Sequence, residues 1–420
     1  MENLKKWFVC CIISVFFIFS NCSASKSMTA LEPLKSEKRT HVRMGSFFKE
    51  GKKDVAVHFH SHTDLDLDSI SNSEYDEDSD DDASSSTSES LCLSPMFELS
   101  PPRPTKIILT IDGGGSRGII PLFYIGELYR RLSREFGEEV RLPIDMYAGT
   151  SVGALIVTAV AMGKYDEVRA RYFDLAKQIF SYKWWKWPFT KIFRGYTYES
   201  SGRAAAFREL VTPESERAIE SDLIIPFCSA KTHDIFKYRN YDDIQRFTLF
   251  NALMASTAAP TRFSPHVFKG LDNEYYEGTD GGIWANHPGA IALDDAFQRY
   301  PGARYIMISL GTGHASAAGT STKGRSLIGW AGTIADLCMS LQSKKTDDVL
   351  ISIAGNHHSE VFRYIRINPM LDRKDCITDG VSRSHLEHLS TIARQSIEPG
   401  GSEKRKFDEV VDILKAKLDY

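Results

Sequence analysis

Paired cysteines are missing from most of this chain. Downstream of residue 24, Cys92, Cys228, Cys338 and Cys376 stand far apart and form no Cys-x-x-Cys pair. That spacing argues against a structural zinc site and a dense disulfide framework, and leaves solitary thiols. Excess charge of one sign is also small, a formal net charge of -4 over 420 residues. No basic footprint marks a nucleic-acid binder. The apolar run Trp7 to Phe19 is too short to span a hydrocarbon core of about 30 Å comfortably as a helix. What the length does allow is a sizeable core, in two or three average domains or one large α/β domain with appendages.

Lys5 and Lys6 precede that apolar run, and Cys22-Ser23-Ala24 follow it. This is the layout of a secretory signal over residues 1–24, so export is expected. Lipid attachment at Cys22 is a second reading and an uncleaved anchor a third. From residue 25 to 104 the chain is rich in Ser, Asp, Lys and Glu, with the acidic tract "SNSEYDEDSDDDASSSTSES" at its centre. Such a segment cannot bury enough apolar surface to offset its ordering entropy, and disorder is expected. His58, His60 and His62 alternate within it. An extended strand would put three imidazoles on one face, yet beside the acidic tract they read as a solvated tether.

Past "SPPRPTK" the pattern changes. Lys106 to Ile111 is a short β-branched run, a buried parallel strand. It runs into Asp112-Gly113-Gly114-Gly115-Ser116-Arg117-Gly118, after which Leu122, Ile125, Leu128, Tyr129 and Leu132 recur at helical spacing. A second unit follows, with "IDMYAG" as strand, Ser151 at the turn and "VGALIVTAVAMG" as a small-residue helix. Strands are also expected at Leu223 to Cys228 and Tyr305 to Leu310, and helices at Glu167 to Ile179, Phe250 to Ser256 and Gly329 to Leu341. Alternation of this kind predicts a three-layer α/β/α fold on a mainly parallel central sheet over residues 105–400, with a further helix at 401–420.

Two stretches at the carboxyl edge of that sheet carry chemistry. Three adjacent glycines between strand and helix let successive N–H groups face one concavity, an anion cradle for a phosphate or for an acyl-transfer oxyanion. Gly149-Thr150-Ser151-Val152-Gly153 has the form of a nucleophile elbow, where a side chain at either glycine would crowd the turn. A base must come from downstream. Asp280, followed by Gly281 and Gly282, is one candidate, and His287 is its rival in the order Ser, Asp, His. Spacing alone does not decide between them.

Taken together, "DGGGSRG", "GTSVG", "ASTAAPTRFSPH", "YYEGTDGGIWANHPGAIA" and "ISLGTG" resemble, in order and rough spacing, the patatin-like phospholipases. The likeness runs from about Lys106 to near Glu398. It implies a lipid acyl hydrolase of phospholipase A or esterase type, in which Ser151 attacks the acyl carbonyl and Asp280 accepts its proton. The loop Gly113, Gly114 and Gly115 would supply oxyanion donors, with Gly118, Gly149, Gly153, Gly281 and Gly282 as motif glycines. Arg117 matches a basic position near a phosphate head group. No cofactor or metal is required, because backbone dipoles build the cradle. Asn286-His287-Pro288 departs from a motif usually written with two asparagines, which leaves a helper role for His287 beside a purely structural one.

Trp184, Trp185 and Trp187 are interleaved with Lys183 and Lys186, a composition suited to a membrane surface. The expected partner is therefore a phospholipid or other acyl-ester lipid, and no nucleic acid. The rival functions are a catalytically silent lipid-binding effector and a nucleotide-binding protein using the glycine loop.

Overall fold

Alternating strand and helix patterns lead to one sheet in the computed structural model, which describes residues 103–180, 195–315, 327–355 and 360–419. In chain order the first elements are β1 (Thr105–Ile111), α1 (Ile119–Phe136), β2 (Met146–Gly149), α2 (Val152–Ala161), α3 (Tyr165–Ile179) and α4 (Ser200–Leu210). Next come β3 (Asp222–Cys228), β4 (Ile235–Arg239), α5 (Leu249–Ser256), β5 (His266–Lys269), β6 (Tyr275–Asp280) and the single turn α6 (Gly282–Ala285). The chain closes with α7 (Gly289–Arg299), β7 (Arg304–Leu310), α8 (Leu327–Gly355), β8 (Phe362–Ile367), α9 (Arg383–Ile397) and α10 (Lys404–Leu418).

The strand order is β5-β6-β3-β2-β1-β7-β8, with β4 paired to β3. Strands β3, β2, β1, β7 and β8 run parallel. By contrast, β4 and β6 lie antiparallel to β3, and β5 antiparallel to β6. Alternation along β1 divides the core: Ile107, Leu109 and Ile111 join one apolar cluster with α1, α2, α9 and α10, while Ile108 joins the other with Ala292, Leu293 and Leu350 of α7 and α8. The result is the three-layer α/β/α arrangement expected from the sequence.

Several boundaries differ from the sequence reading by a residue or two, and one by a long stretch. The second strand begins at Met146 rather than Ile144. Helix α8 extends to Gly355 instead of ending at Leu341. The helix at the carboxyl end is no appendage, because Phe407, Val410, Val411 and Leu414 are buried in the same cluster as β1.

Successive strands β1 to β3 build outward on one side of β1, whereas β7 and β8 are added on the other. A crevice therefore opens beyond the carboxyl ends of the central strands, the usual location of sites in open α/β sheets. Ile111, Gly149 and Leu310 share one level there. Asp280, entering on an antiparallel strand, pairs with Phe227 near the carboxyl end of β3.

Candidate active site

The turn between β2 and α2 is held from three sides. Ser151 has φ 54° and ψ -123°, a backbone state costly for a side-chain-bearing residue. A Cβ on Gly153 would lie 2.3 Å from the Ile111 carbonyl oxygen, and one on Gly149 would lie 2.4 Å from the Gly153 carbonyl oxygen. Both contacts are with backbone, so neither position has room for a side chain. The Ser151 N–H donates to Ser256 Oγ at 3.1 Å, and Thr150 Oγ1 donates to the Ala285 carbonyl.

Asp280 faces this turn from the end of β6 and is 2% exposed. Its Oδ1 accepts the Gly282 N–H at 2.7 Å, and the Ser151 side chain lies near enough to favour its ionised form. Burial pushes the Asp280 carboxyl up to about 6, partly offset by the Gly282 N–H, the Ser151 side chain and the Arg203 charge. A carboxylate so placed is set for proton transfer near neutral pH.

A short turn of α5 and its following residues joins the two. Ser256 receives the Ser151 N–H. Ala258, two residues on, gives its carbonyl to the Asp280 N–H at 3.1 Å and to Thr279 Oγ1 at 2.9 Å. Sequence reasoning quoted this "ASTAAP" stretch without assigning it a task. Its signal was the run of small residues, which lets a backbone approach two others.

In the glycine loop, Gly113, Gly114 and Gly115 are not equivalent. The Gly113 N–H donates to the Asn286 carbonyl at 3.0 Å, and this corrects its expected place among the oxyanion donors. Its amide fixes the loop to the turn after α6 instead. The N–H groups of Gly114 and Gly115 donate to no described residue. Gly115 has φ +58°, and a Cβ there would sit 2.0 Å from the Thr378 carbonyl oxygen.

Beneath the loop lies an ion pair. Asp112 accepts two hydrogen bonds from the Arg366 guanidinium, at 2.9 and 2.5 Å, and Arg366 also donates to Ser309 Oγ at 2.7 Å. The paired carboxylate holds Arg366 firmly charged. Arg366 lies on β8 in "RYIRINP", a stretch to which the sequence reading gave no role in the site.

His287 sits in that network, away from the nucleophile. Its Nδ1 accepts the Gly289 N–H at 3.1 Å, so Nε2 carries the proton toward Tyr364 Oη at 2.8 Å, with Ser309 Oγ at 3.4 Å. Burial first, and then the Arg366 charge, keep the ring neutral, well below its usual pKa. Both ring nitrogens are engaged, and Ser151 is not among their partners.

Ser151, Asp280 and the loop line a cavity of about 1170 Å³. Its lining includes apolar side chains, among them Leu155, Leu175, Ile179 and Phe207, and charged ones, among them Arg117, Arg262, Asp336 and Lys344. Arg117 is no free surface charge: its guanidinium donates to the Gly313 carbonyl at 3.2 Å, and burial lowers its pKa. Of the motif glycines, Gly118 abuts Val152 and Tyr172, Gly281 the Pro226 carbonyl, and Gly282 the Asn286 and Asp280 side chains.

Residues 109–293 match the family model for patatin-like phospholipase. The chain carries a patatin-like phospholipase domain. Over 206 residues it is 29% identical to a cGAMP-activated phospholipase of Escherichia coli (strain TW11681), an alignment covering 47% of this chain and 57% of that protein. Over 353 residues it is 26% identical to patatin-like protein 2 of Arabidopsis thaliana, covering 73% of this chain and 86% of that one. A cGAMP-activated phospholipase of Vibrio cholerae serotype O1 is 26% identical over 321 residues, 69% of this chain and 89% of that one. The chain thus spans just over half the length of the first of these relatives and most of the other two. These relatives are named as phospholipases or as a patatin-like protein.

The leader, the acidic segment with His58, His60 and His62, and the stretch with Trp184, Trp185 and Trp187 lie outside the described residues. Among the described residues, no helix is long and apolar enough to cross a membrane.

Proposed function

We propose that this patatin-like domain hydrolyses acyl esters of phospholipids through a Ser151–Asp280 dyad. The observation that carries the reading is that Ser151, held in its strained turn, and the buried Asp280 carboxylate line one large cavity together with the glycine loop and its unengaged amides. Ser151 Oγ attacks the acyl carbonyl carbon while Asp280 takes the hydroxyl proton. The developing oxyanion is received by the Gly114 and Gly115 N–H groups. The carbon–oxygen bond to the glycerol side then breaks, Asp280 returns the proton to the departing alcohol, and an acyl-serine remains. Water attacks that ester and gives a proton to Asp280. The acyl–Oγ bond breaks, the proton returns to Ser151 and the carboxylic acid leaves.

The mixed apolar and charged lining of the cavity favours an amphiphilic substrate, with the acyl chain along Leu155, Leu175 and Phe207 and an anionic head group toward Arg117 and Arg262. Export by the leader and surface contact through Trp184, Trp185 and Trp187 would bring the enzyme to its lipid. Ser151→Ala is the deciding variant. Fatty-acid release from mixed phospholipid vesicles, and labelling by a fluorophosphonate probe, are expected to vanish with the thermal transition retained. Unchanged release refutes the assignment, and vesicle binding by the wild type without any labelling favours the silent effector.

A further inference from the structure

Arg203, on α4, is 0% exposed and heads the fully buried side chains by size. Its Nη1 donates to Thr257 Oγ1 at 3.1 Å and its Nη2 to Ser200 Oγ at 3.4 Å. The guanidinium lies over the Phe263 ring, 4.4 Å from its centroid, and Nε has no partner. No described carboxylate is hydrogen-bonded to it. A guanidinium does not shed its proton in a protein, so the Arg203 charge stays in place and acts on a carboxylate within reach.

We propose that Arg203 is a positioning residue for the reacting pair: it is the buried countercharge of the Asp280 carboxylate and the anchor of the turn that holds Ser151 and Asp280 together. The inference rests on the reading of that pair as the catalytic dyad. Two observations meet here. Arg203 and Asp280 line the same cavity, and each charge acts on the other. Its hydrogen-bond partner Thr257 lies between Ser256, which takes the Ser151 N–H, and Ala258, which takes the Asp280 N–H. One side chain thus sets both the field at the carboxylate and the turn that locates it.

Two titratable groups that feel the charge of Asp280 or of Arg203 are neutral near pH 7. From β3, the Cys228 thiol donates to the Asp280 carbonyl, and burial pushes it up to about 11. From β5, His266 is pushed down to about 4 by burial and by Arg203. From α6 and the β2–α2 turn come the Gly282 N–H and the Ser151 side chain. Burial lowers Arg203 itself to about 10, so it stays charged throughout the range in which Asp280 titrates.

A side chain that merely fills space would be replaced by Met at no cost to the pH profile. The test compares Arg203→Met and Arg203→Lys in the full chain, reading ester hydrolysis and fluorophosphonate labelling from pH 5 to 9 alongside the thermal transition. Loss of the countercharge disfavours the ionised carboxylate. In Arg203→Met the acid limb is thus expected to move alkaline by about one pH unit, an extra loss of roughly fivefold in kcat at pH 6 relative to pH 8, with KM little changed. Arg203→Lys restores most of the limb. A Met profile superimposable on the wild type, with only the thermal transition altered, overturns the proposal. Should Arg203→Met fail to fold, Thr257→Val cuts the anchor while keeping volume: a several-fold fall in kcat supports the proposal, and wild-type kinetics overturn it. Absent labelling of wild-type Ser151 at every pH sinks the dyad itself, whereas labelling with an immovable limb sinks only the role of Arg203.

Discussion

Replacing Asp280 by Asn should make the protein more stable while silencing it. Burial moves the carboxyl from its ordinary 3.8 to about 6. At 1.36 kcal/mol per pH unit, the ionised form costs the folded state about 3 kcal/mol. The sign follows from the direction: the folded value lies above the unfolded one, so the folded state binds the proton more tightly. Stability from this group is fully present below 3.8 and is lost as pH rises through about 6. Asn reproduces the neutral carboxyl in shape, and its Oδ1 can still accept the Gly282 N–H that Asp280 accepts at 2.7 Å. Urea unfolding followed by intrinsic fluorescence at pH 4, 6 and 8 is the assay. The variant should match the wild type near pH 4 and gain on it steadily, toward about 3 kcal/mol at pH 8. A difference that stays flat with pH, or that favours the wild type at pH 8, would refute the reasoning, because the site would then not be desolvating its base.

Arg366→Met leaves Asp112 charged and buried without its two hydrogen bonds; denaturant melts should show a loss of about 3–5 kcal/mol, partly recovered when Asp112→Asn is added. His287→Ala breaks contacts to Tyr364, Ser309 and Gly289, so it should lower stability by about 1–3 kcal/mol yet leave Ser151 open to a fluorophosphonate; loss of labelling in a folded protein would restore the histidine to the mechanism. Leu155 and Leu175 bound both the main cavity and a separate void of about 20 Å³. Leu175→Ala should join the two and raise the palmitoyl over octanoyl ester preference roughly tenfold in kcat/KM, and an unchanged ratio would move the acyl chain elsewhere.

Much of the frame was legible in the residues alone. The β-branched run before Gly113 and the helical recurrence after it anticipated β1 and α1. Gly149 and Gly153 announced the turn at Ser151, because the lack of a side chain there is a local steric demand that any fold must meet. Likewise Gly281 and Gly282 singled out Asp280. Helix α8 was read short because Ser340, Ser343 and the Lys and Asp residues beyond it weaken the apolar period that had marked its start.

Local pattern thus determined the strand, loop and helix units, the two glycine-framed turns, and which hydroxyl and carboxylate were candidates. Only the tertiary structure decided the partners across the sheet edge. It engaged the Gly113 amide with Asn286, placed Arg366 under Asp112 from 254 residues away, turned His287 inward, and set Arg203 and Asp280 on the wall of one cavity. Such pairings depend on strand order and on which backbone approaches which. Those are properties of the packed sheet, and the period of a single segment carries no record of them.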